Sequence, residues 1–412
     1  SADHSYLGEL WAHESFRENT RKTSRSLTDR ISQYFTPVIV VFALAAALYW
    51  WPMGVGKALN VFTAVLIVAC PCALALAEPF ANGSMLRWFG RYGLYLKNSK
   101  VLNRLSEARH LVFDKTGTLT CTDKIQVSWH GRALEEKIQQ QVLAVAQQAQ
   151  HPLAKALLAY LSAHQPAPEK ALFYEKSGEG LTAEIGRDYL RMGKASFLGL
   201  HDDQAQTTAV YLEHNGKHLG HFAFHQALRP GLRAMLRKLD QHFGLTILSG
   251  DNAAEEMRFR QIFPRHSQLH FGQSPKDKRS HLERLQARGD KVIMLGDGLN
   301  DAGALQQSEV GISLCEEEVN FFPASDGLLR ARSFRRLGDF LRLSRQNRQL
   351  IYLAFGLSFL YNVVGLSFAF LGWLSPLFAA ILMPVSSVSV VLFTTLGARW
   401  LAKRQLAGDT PA

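Results

Sequence analysis

The sequence predicts a composite fold class: an α-helical membrane bundle of four spans, joined to a soluble α/β domain whose parallel sheet is split by an inserted α+β domain. Three observations predict it. Very apolar blocks stand at both ends of the 412-residue chain around a polar middle. Basic residues crowd against those blocks, as they do on the cytoplasmic side of membrane helices. Within the middle, short apolar runs end in loops rich in Asp, Gly and Thr, the pattern of strand ends in an open parallel sheet.

Taken in order, residues 1–30 are polar and form a cytoplasmic lead-in. Residues 31–80 make a first hairpin. Its first span, Ile31 to Trp51, closes on Tyr49, Trp50 and Trp51, side chains that favour the membrane interface. After a short turn its second span, Ala58 to Phe80, is interrupted by Cys70-Pro71-Cys72 and by Pro79. Residues 81–105 read as a basic amphipathic connector. A second hairpin covers 348–398, with spans Leu350 to Leu371 and Leu374 to Leu396 around Gly372-Trp373, and a tail follows over 399–412. Arg17, Arg21, Lys22, Arg25 and Arg30 precede the first block, and Arg399, Lys403 and Arg404 follow the last. The formal charge of +11 therefore belongs to membrane flanks and not to a nucleic-acid surface. This places both chain ends and the soluble part in the cytoplasm. The four cysteines are not expected to form a disulfide framework: Cys70 and Cys72 lie too close for an easy bridge, and Cys121 and Cys315 fall in segments assigned to a reducing cytosol.

The soluble part opens with the apolar strand His110 to Phe113. The parallel-sheet domain takes residues 106–121 and 228–340, with strands at Leu245 to Leu248 and Lys291 to Leu295 and helices through Arg260 and over His281 to Arg288. The insert, 122–227, is helix-rich from Leu134 to Leu161 and then shows strand signals at Gly180 to Ile185 and Ala209 to Leu212.

The first strand delivers Asp114-Lys115-Thr116-Gly117-Thr118-Leu119-Thr120. A carboxylate at a strand end, beside small hydroxyl and glycine residues whose backbone N–H groups can cradle phosphate oxygens, reads as a nucleophile toward phosphorus. Three more loops follow strands or open helices. In Ser249-Gly250-Asp251 the hydroxyl and the glycine N–H can hold a phosphate oxygen. Lys278 offers a cation against the charge of a transferred group. Asp297 and Asp301, around Asn300, supply two carboxylates; Asp114, the Thr116 carbonyl and Asp297 form a plausible set for Mg²⁺.

In order and type these loops resemble the motifs of P-type ATPases, DKTGT, TGD, PxxK and GDGxND, carried on a sheet similar to that of haloacid dehalogenases. The resemblance implies that Asp114 is phosphorylated from ATP. It also implies that Ser249, Lys278 and Asn300 contact the phosphoryl group and that Asp297 and Asp301 serve Mg²⁺. In the insert, His151 before Pro152 resembles the adenine-contacting His of heavy-metal members, and Gly178 and Gly180 match glycines that pass close to the nucleotide. Four positions depart from the family: Gln226 stands where Asp is usual, which is expected to weaken the contact between insert and sheet domain, Gly303 stands for Pro, Gln150 for Glu, and Glu78 for Thr.

A proline between two cysteines inside a span removes a backbone hydrogen bond and opens the helix, so that both sulfurs can turn toward one site; soft thiolates select soft ions such as Cu(I). Cys70-Pro71-Cys72 resembles the Cys-Pro-Cys of metal-transporting P-type ATPases. Tyr361 and Asn362, with Met383 and Ser387, match pairs of the Cu(I)/Ag(I) subgroup, and no charged residue occurs between Leu350 and Leu396, as a Zn(II)/Cd(II) pump would usually carry. Glu78 reads either as a carboxylate steering the ion or as a side chain reaching the interface.

The expectation is export of monovalent copper or silver across a bacterial inner membrane through an aspartyl-phosphate. ATP and Mg²⁺ are the implied cofactors, and a copper chaperone or small thiol is the implied cytoplasmic donor. The alternatives are a Zn(II)/Cd(II) pump, a membrane-tethered phosphatase and a catalytically incomplete half-pump. No Thr-Gly-Glu, the signature of the family's actuator domain, occurs in these residues, so the chain reads as part of a longer pump.

Overall fold

The structure, a computed structural model, describes residues 27–70, 72–149, 152–161, 172–176, 179–200, 208–251, 255–298, 300–316 and 324–406. The chain divides into two compact units, Ser1–Ala108 with Glu309–Ala412, and Arg109–Ser308. Elements are numbered in chain order.

The first unit holds the apolar helices. α1 (Leu27–Trp50), α2 (Val55–Val68) and α3 (Cys72–Arg91) come before α4 (Ser99–Glu107), and α11 (Leu337–Phe370) and α12 (Pro376–Leu406) close the chain. Small side chains let these helices approach: Ala43, Ala46, Ala64, Ala369 and Ala379 are fully buried among Val61, Val65 and Val68. Val38, Leu48, Leu353, Phe359 and Leu360 point outward and are exposed, as expected of surfaces that meet lipid. Among the described residues three helical segments are long and apolar enough to cross a membrane: Val55–Arg91, Ala331–Phe370 and Pro376–Leu406. The first expected span contributes the shorter apolar stretch Pro37–Met53, so three segments reach spanning length where the sequence predicts four. The expected connector is more ordered than its amphipathic pattern suggests. It contains strand β1 (Leu94–Leu96), which pairs antiparallel with β13 (Gly327–Arg330), itself parallel to β12 (Val310–Cys315).

The second unit is built on four parallel strands in the order β11-β2-β9-β10. These are β2 (His110–Asp114), β9 (Gly244–Leu248), β10 (Gln268–His270) and β11 (Val292–Gly296). β2 and β11 are buried along most of their length, which is why they read as continuous apolar runs and not as alternating ones. α9 (Pro275–Ala287) and α10 (Ala302–Gln307) lay Leu282, Leu285, Ala304 and Leu305 on Val112, Leu248, Val292 and Met294. α7 (Leu232–Asp240) and α8 (Glu256–Arg260) complete this part.

The insert leaves through β3 (Thr120–Gly131) and returns through β8 (Lys217–Leu228), which pair antiparallel. They belong to a six-stranded antiparallel sheet in the order β3-β8-β7-β6-β5-β4, with β4 (Leu172–Lys176), β5 (Gly180–Ile185), β6 (Asp188–Gly193) and β7 (Thr208–His214). α5 (Glu136–Gln148) and α6 (Pro152–Leu161) cover one face, burying Val142, Val145 and Leu157 against Leu190, Leu212 and Phe222.

Candidate functional site

Parallel pairing brings the carboxyl ends of β2, β9 and β11 to one edge, because Asp114 stands opposite Leu248 and Phe113 opposite Leu295. The loops of interest leave from that edge. Asp114 is the last residue of β2 and only 5% exposed. The loop after it turns on Gly117, whose φ of 72° is a left-handed conformation that glycine adopts freely. It closes on the Lys115 carbonyl, which accepts from the Leu119 N–H at 2.9 Å and from Thr120 at 3.2 Å.

Lys278 sits one turn into α9. Ser274 caps that helix reciprocally with Asp277, and Pro275 takes its first position. The Lys278 ammonium donates to Asp114 Oδ1 at 2.5 Å and to Asp301 Oδ1 at 2.7 Å, and both carboxyls are buried. Asp301 can come this close because Gly296 lacks a side chain: a Cβ there would lie 2.6 Å from Asp301 Oδ2. Burial first, and then the neighbouring Asp301, pushes the Asp114 carboxyl up to about 7 against the pull of Lys278, with Asp297 adding to the rise. Asp301 is raised as well, chiefly by burial. Two buried carboxyls therefore share one ammonium, with the charge of Asp297 acting on both, and Asp301 Oδ2 is buried without a hydrogen-bond partner among the described residues. That surplus of buried oxygen charge suits a small hard cation. The carboxylates of Asp114 and Asp301 suit Mg²⁺ chemically, an ion that takes few protein ligands and completes its shell with water and phosphate oxygens, and Asp297 is half-buried in the loop after β11.

The Ser249 loop packs beside them. Ser249 is buried, its N–H donates to the His270 carbonyl at 2.9 Å, and its hydroxyl accepts from the Asp251 N–H at 3.1 Å; Gly250 is exposed. Asp251 accepts from the Thr116 hydroxyl at 2.8 Å and pairs with Lys115 at 2.5 Å. Asn300 is exposed at the loop after β11. His151 and Gly178 lie outside the described residues. Gly180 is described, and its place in the sheet has its own cause: a Cβ there would stand 2.5 Å from the Phe197 ring and 2.6 Å from the Met192 carbonyl, where β5 meets β6.

Two residues that the motifs do not single out complete the site. Arg229 is buried and donates to the Gly117 and Thr118 carbonyls, each at 2.6 Å, clamping the loop after Asp114. Glu255 pairs with Lys115 at 2.6 Å. Arg229 lies in Leu228-Arg229-Pro230 at the end of the insert, whereas Glu255 carries no local signal. Gln226, which stands where the family usually has Asp, accepts from the Thr120 hydroxyl at 2.6 Å through its side-chain oxygen.

In the first unit α2 ends at Val68 and α3 begins at Cys72, so the helix opens where the cysteines stand. The two sulfurs are joined as a disulfide, contrary to the expectation of two separate thiols. The break frees both side chains to turn together, and a Cα separation of 5.5 Å lies within the range a bridge spans. The other matched residues lie on α11 and α12, the last two apolar helices. The Tyr361 hydroxyl donates to the Leu382 carbonyl at 2.9 Å, next to Met383. One turn after Tyr361, a Cβ on Gly365 would touch Val68 at 2.7 Å. Met383 and Ser387 share the helical stripe of Val390, which packs with Ala73 and Ala77. The Ser387 hydroxyl is turned back to the Met383 carbonyl at 3.2 Å. Asn362 is half-buried beside Tyr361. Glu78 accepts from Asn103 at 2.7 Å, and Asn103 accepts from Asn82. Among the described residues no group of three or more His, Cys, Asp and Glu is arranged to hold a metal.

Comparison with known proteins agrees with this geometry. Residues 108–308 match the family model of haloacid dehalogenase-like hydrolases. The chain is 31% identical over 405 residues to the nitrogen fixation protein FixI of Rhizobium leguminosarum, covering 95% of this chain and 52% of that one. It is 31% identical over 414 residues to a copper-exporting P-type ATPase of Vibrio cholerae, covering 91% and 44%. The chain is a P-type ATPase homologue. It spans about half the length of these curated relatives. A zinc-transporting PIB-type ATPase solved in the E2.Pi state superposes on this homologue with a TM-score of 0.77 at 25% identity, covering 93% of this chain and 65% of that one. The P-type architecture, with its haloacid dehalogenase-like core, insert and apolar helices, is therefore present here.

Proposed function

We propose that this chain is the phosphorylation, nucleotide-binding and metal-site portion of a pump that moves monovalent copper across a membrane at the expense of ATP. The observation that carries the reading is the convergence of Asp114, Lys278 and Asp301 at one strand edge. Asp114 Oδ2 is the oxygen not held by Lys278 and is the atom that attacks the γ-phosphorus of ATP; the bond from that phosphorus to the ADP oxygen breaks as the new one forms. Lys278 offsets the charge that gathers on the phosphoryl oxygens, and Ser249 with the Gly250 N–H holds one of them. Asp114, Asp297, Asp301 and the Thr116 carbonyl would hold Mg²⁺, which would supply positive charge against that of the phosphate oxygens. His151, Gly178 and Gly180 are assigned to the nucleotide on the family resemblance.

Cys70 and Cys72, once reduced to thiolates, supply soft ligands for the transported ion, with Tyr361, Asn362, Met383 and Ser387 around them. Copper is favoured by the names of the relatives, among them a probable copper-transporting ATPase of Synechocystis that is 30% identical over 397 residues. It is favoured too by the absence of intramembrane charge between Leu350 and Leu396. A zinc pump is the second reading, because a structure of a zinc transporter superposes well. The two are separated by measuring ATP-dependent phosphorylation under reducing conditions with Cu(I) or Zn(II). Stimulation by Cu(I) alone supports the first reading; stimulation by Zn(II) alone replaces it with the second. The expected bacterial inner membrane and a chaperone or thiol donor for the ion complete the reading.

A further inference from the structure

Lys115, beside the nucleophile, is buried and held by two carboxylates: Asp251 at 2.5 Å and Glu255 at 2.6 Å. The first belongs to the loop read as phosphate-binding. The second is not part of any motif, and its other oxygen is also in use. Glu255 Oε1 accepts from Arg258 at 2.8 Å. The same guanidinium reaches the Gln226 carbonyl at 3.2 Å and the Gln126 side chain at 3.4 Å. Gln226 lies on β8 opposite Ile125, the neighbour of Gln126 on β3, and these are the strands by which the insert leaves and rejoins the sheet domain. The circuit returns to its start, because Gln226 accepts from Thr120, whose hydroxyl also donates to the Lys115 carbonyl at 3.3 Å.

An Arg fork can hold a carboxylate and a backbone carbonyl at once, which links Glu255, and through it Lys115, to the strands that join the insert to the sheet domain. Resting on the phosphorylation reading above, we propose that Glu255 is a positioning residue that holds Lys115 back from the phosphoryl site. In this scheme Arg258 draws Glu255 away when the insert brings ATP in. Lys115 is then released to the phosphate only by a donor that moves the insert. A small acyl phosphate, which does not engage the insert, meets the lysine still held.

The test compares two donors, ATP and acetyl phosphate, on the full reduced chain with Mg²⁺ and Cu(I), reading acid-stable phosphate at Asp114. Arg258→Ala is expected to slow labelling by ATP about tenfold while labelling by acetyl phosphate stays within about twofold. Arg258→Lys, which keeps the charge but not the fork, is expected to behave the same way. Glu255→Gln is expected to speed labelling by acetyl phosphate several-fold, and the double variant to follow Glu255→Gln. Equal slowing with both donors in either Arg258 variant, or slower labelling with both in Glu255→Gln, overturns the proposal. If the unsubstituted chain accepts phosphate from neither donor, the phosphorylation reading itself fails and takes this inference with it.

Discussion

The Lys278 ammonium donates to Asp114 Oδ1 at 2.5 Å, although the two residues lie 164 positions apart in sequence. An inserted domain separates them along the chain, and parallel pairing of β2 with β9 and β11 reunites them. Lys278→Met removes the cation that Asp114 and Asp301 share. Phosphorylation of Asp114 is expected to fall by about 10² to 10³, the usual effect of losing one donor to a developing charge. The variant should also unfold more readily, by about 3–5 kcal/mol at neutral pH, because it leaves buried carboxylates unpaired. Labelling at the wild-type rate would remove Lys278 from the site.

The raised Asp114 carboxyl gives a pH signature. In the unfolded chain this group loses its proton near its ordinary value of 3.8, whereas in the folded protein it does so near 7. The folded state holds the proton more tightly, so its stability falls as pH rises across that window when no cation is bound. Mg²⁺ competes with that proton. The rise in melting temperature caused by Mg²⁺ is therefore expected to be larger at pH 8 than at pH 5. An equal rise at both would place the ion elsewhere.

Much of this site is legible in sequence because the Asp114, Ser249 and Asp297 loops follow strands buried along most of their length, and such strands read as apolar runs, as in Val292 to Leu295. The positions that escape sequence reasoning depend on distant partners. Glu255 gains its role only from Lys115, 140 positions away, and the residues next to it carry no motif. Arg229 is visible as a neighbour of Pro230, yet its grip on the Gly117 and Thr118 carbonyls is a tertiary fact. Strand β1 is hidden inside a basic amphipathic stretch because three residues are too few to show alternation. The bridge between Cys70 and Cys72 escaped for another reason: adjacency in sequence suggested crowding, and the break between α2 and α3 relieves it.

That bridge predicts a redox requirement. A disulfide offers no thiolate to a soft ion, so Cu(I) is expected to stimulate ATP-dependent phosphorylation after reduction and to have no effect on the oxidised chain. Replacing both Cys70 and Cys72 with Ser should abolish the stimulation under either condition. Stimulation that survives the double replacement would move the metal site to other residues.

The most direct test of the central claim is phosphate transfer to Asp114 itself. Incubation of the reduced chain with radiolabelled ATP, Mg²⁺ and Cu(I) is expected to give an acid-stable, hydroxylamine-sensitive acyl phosphate that disappears in Asp114→Asn. Labelling that persists in Asp114→Asn would contradict the account.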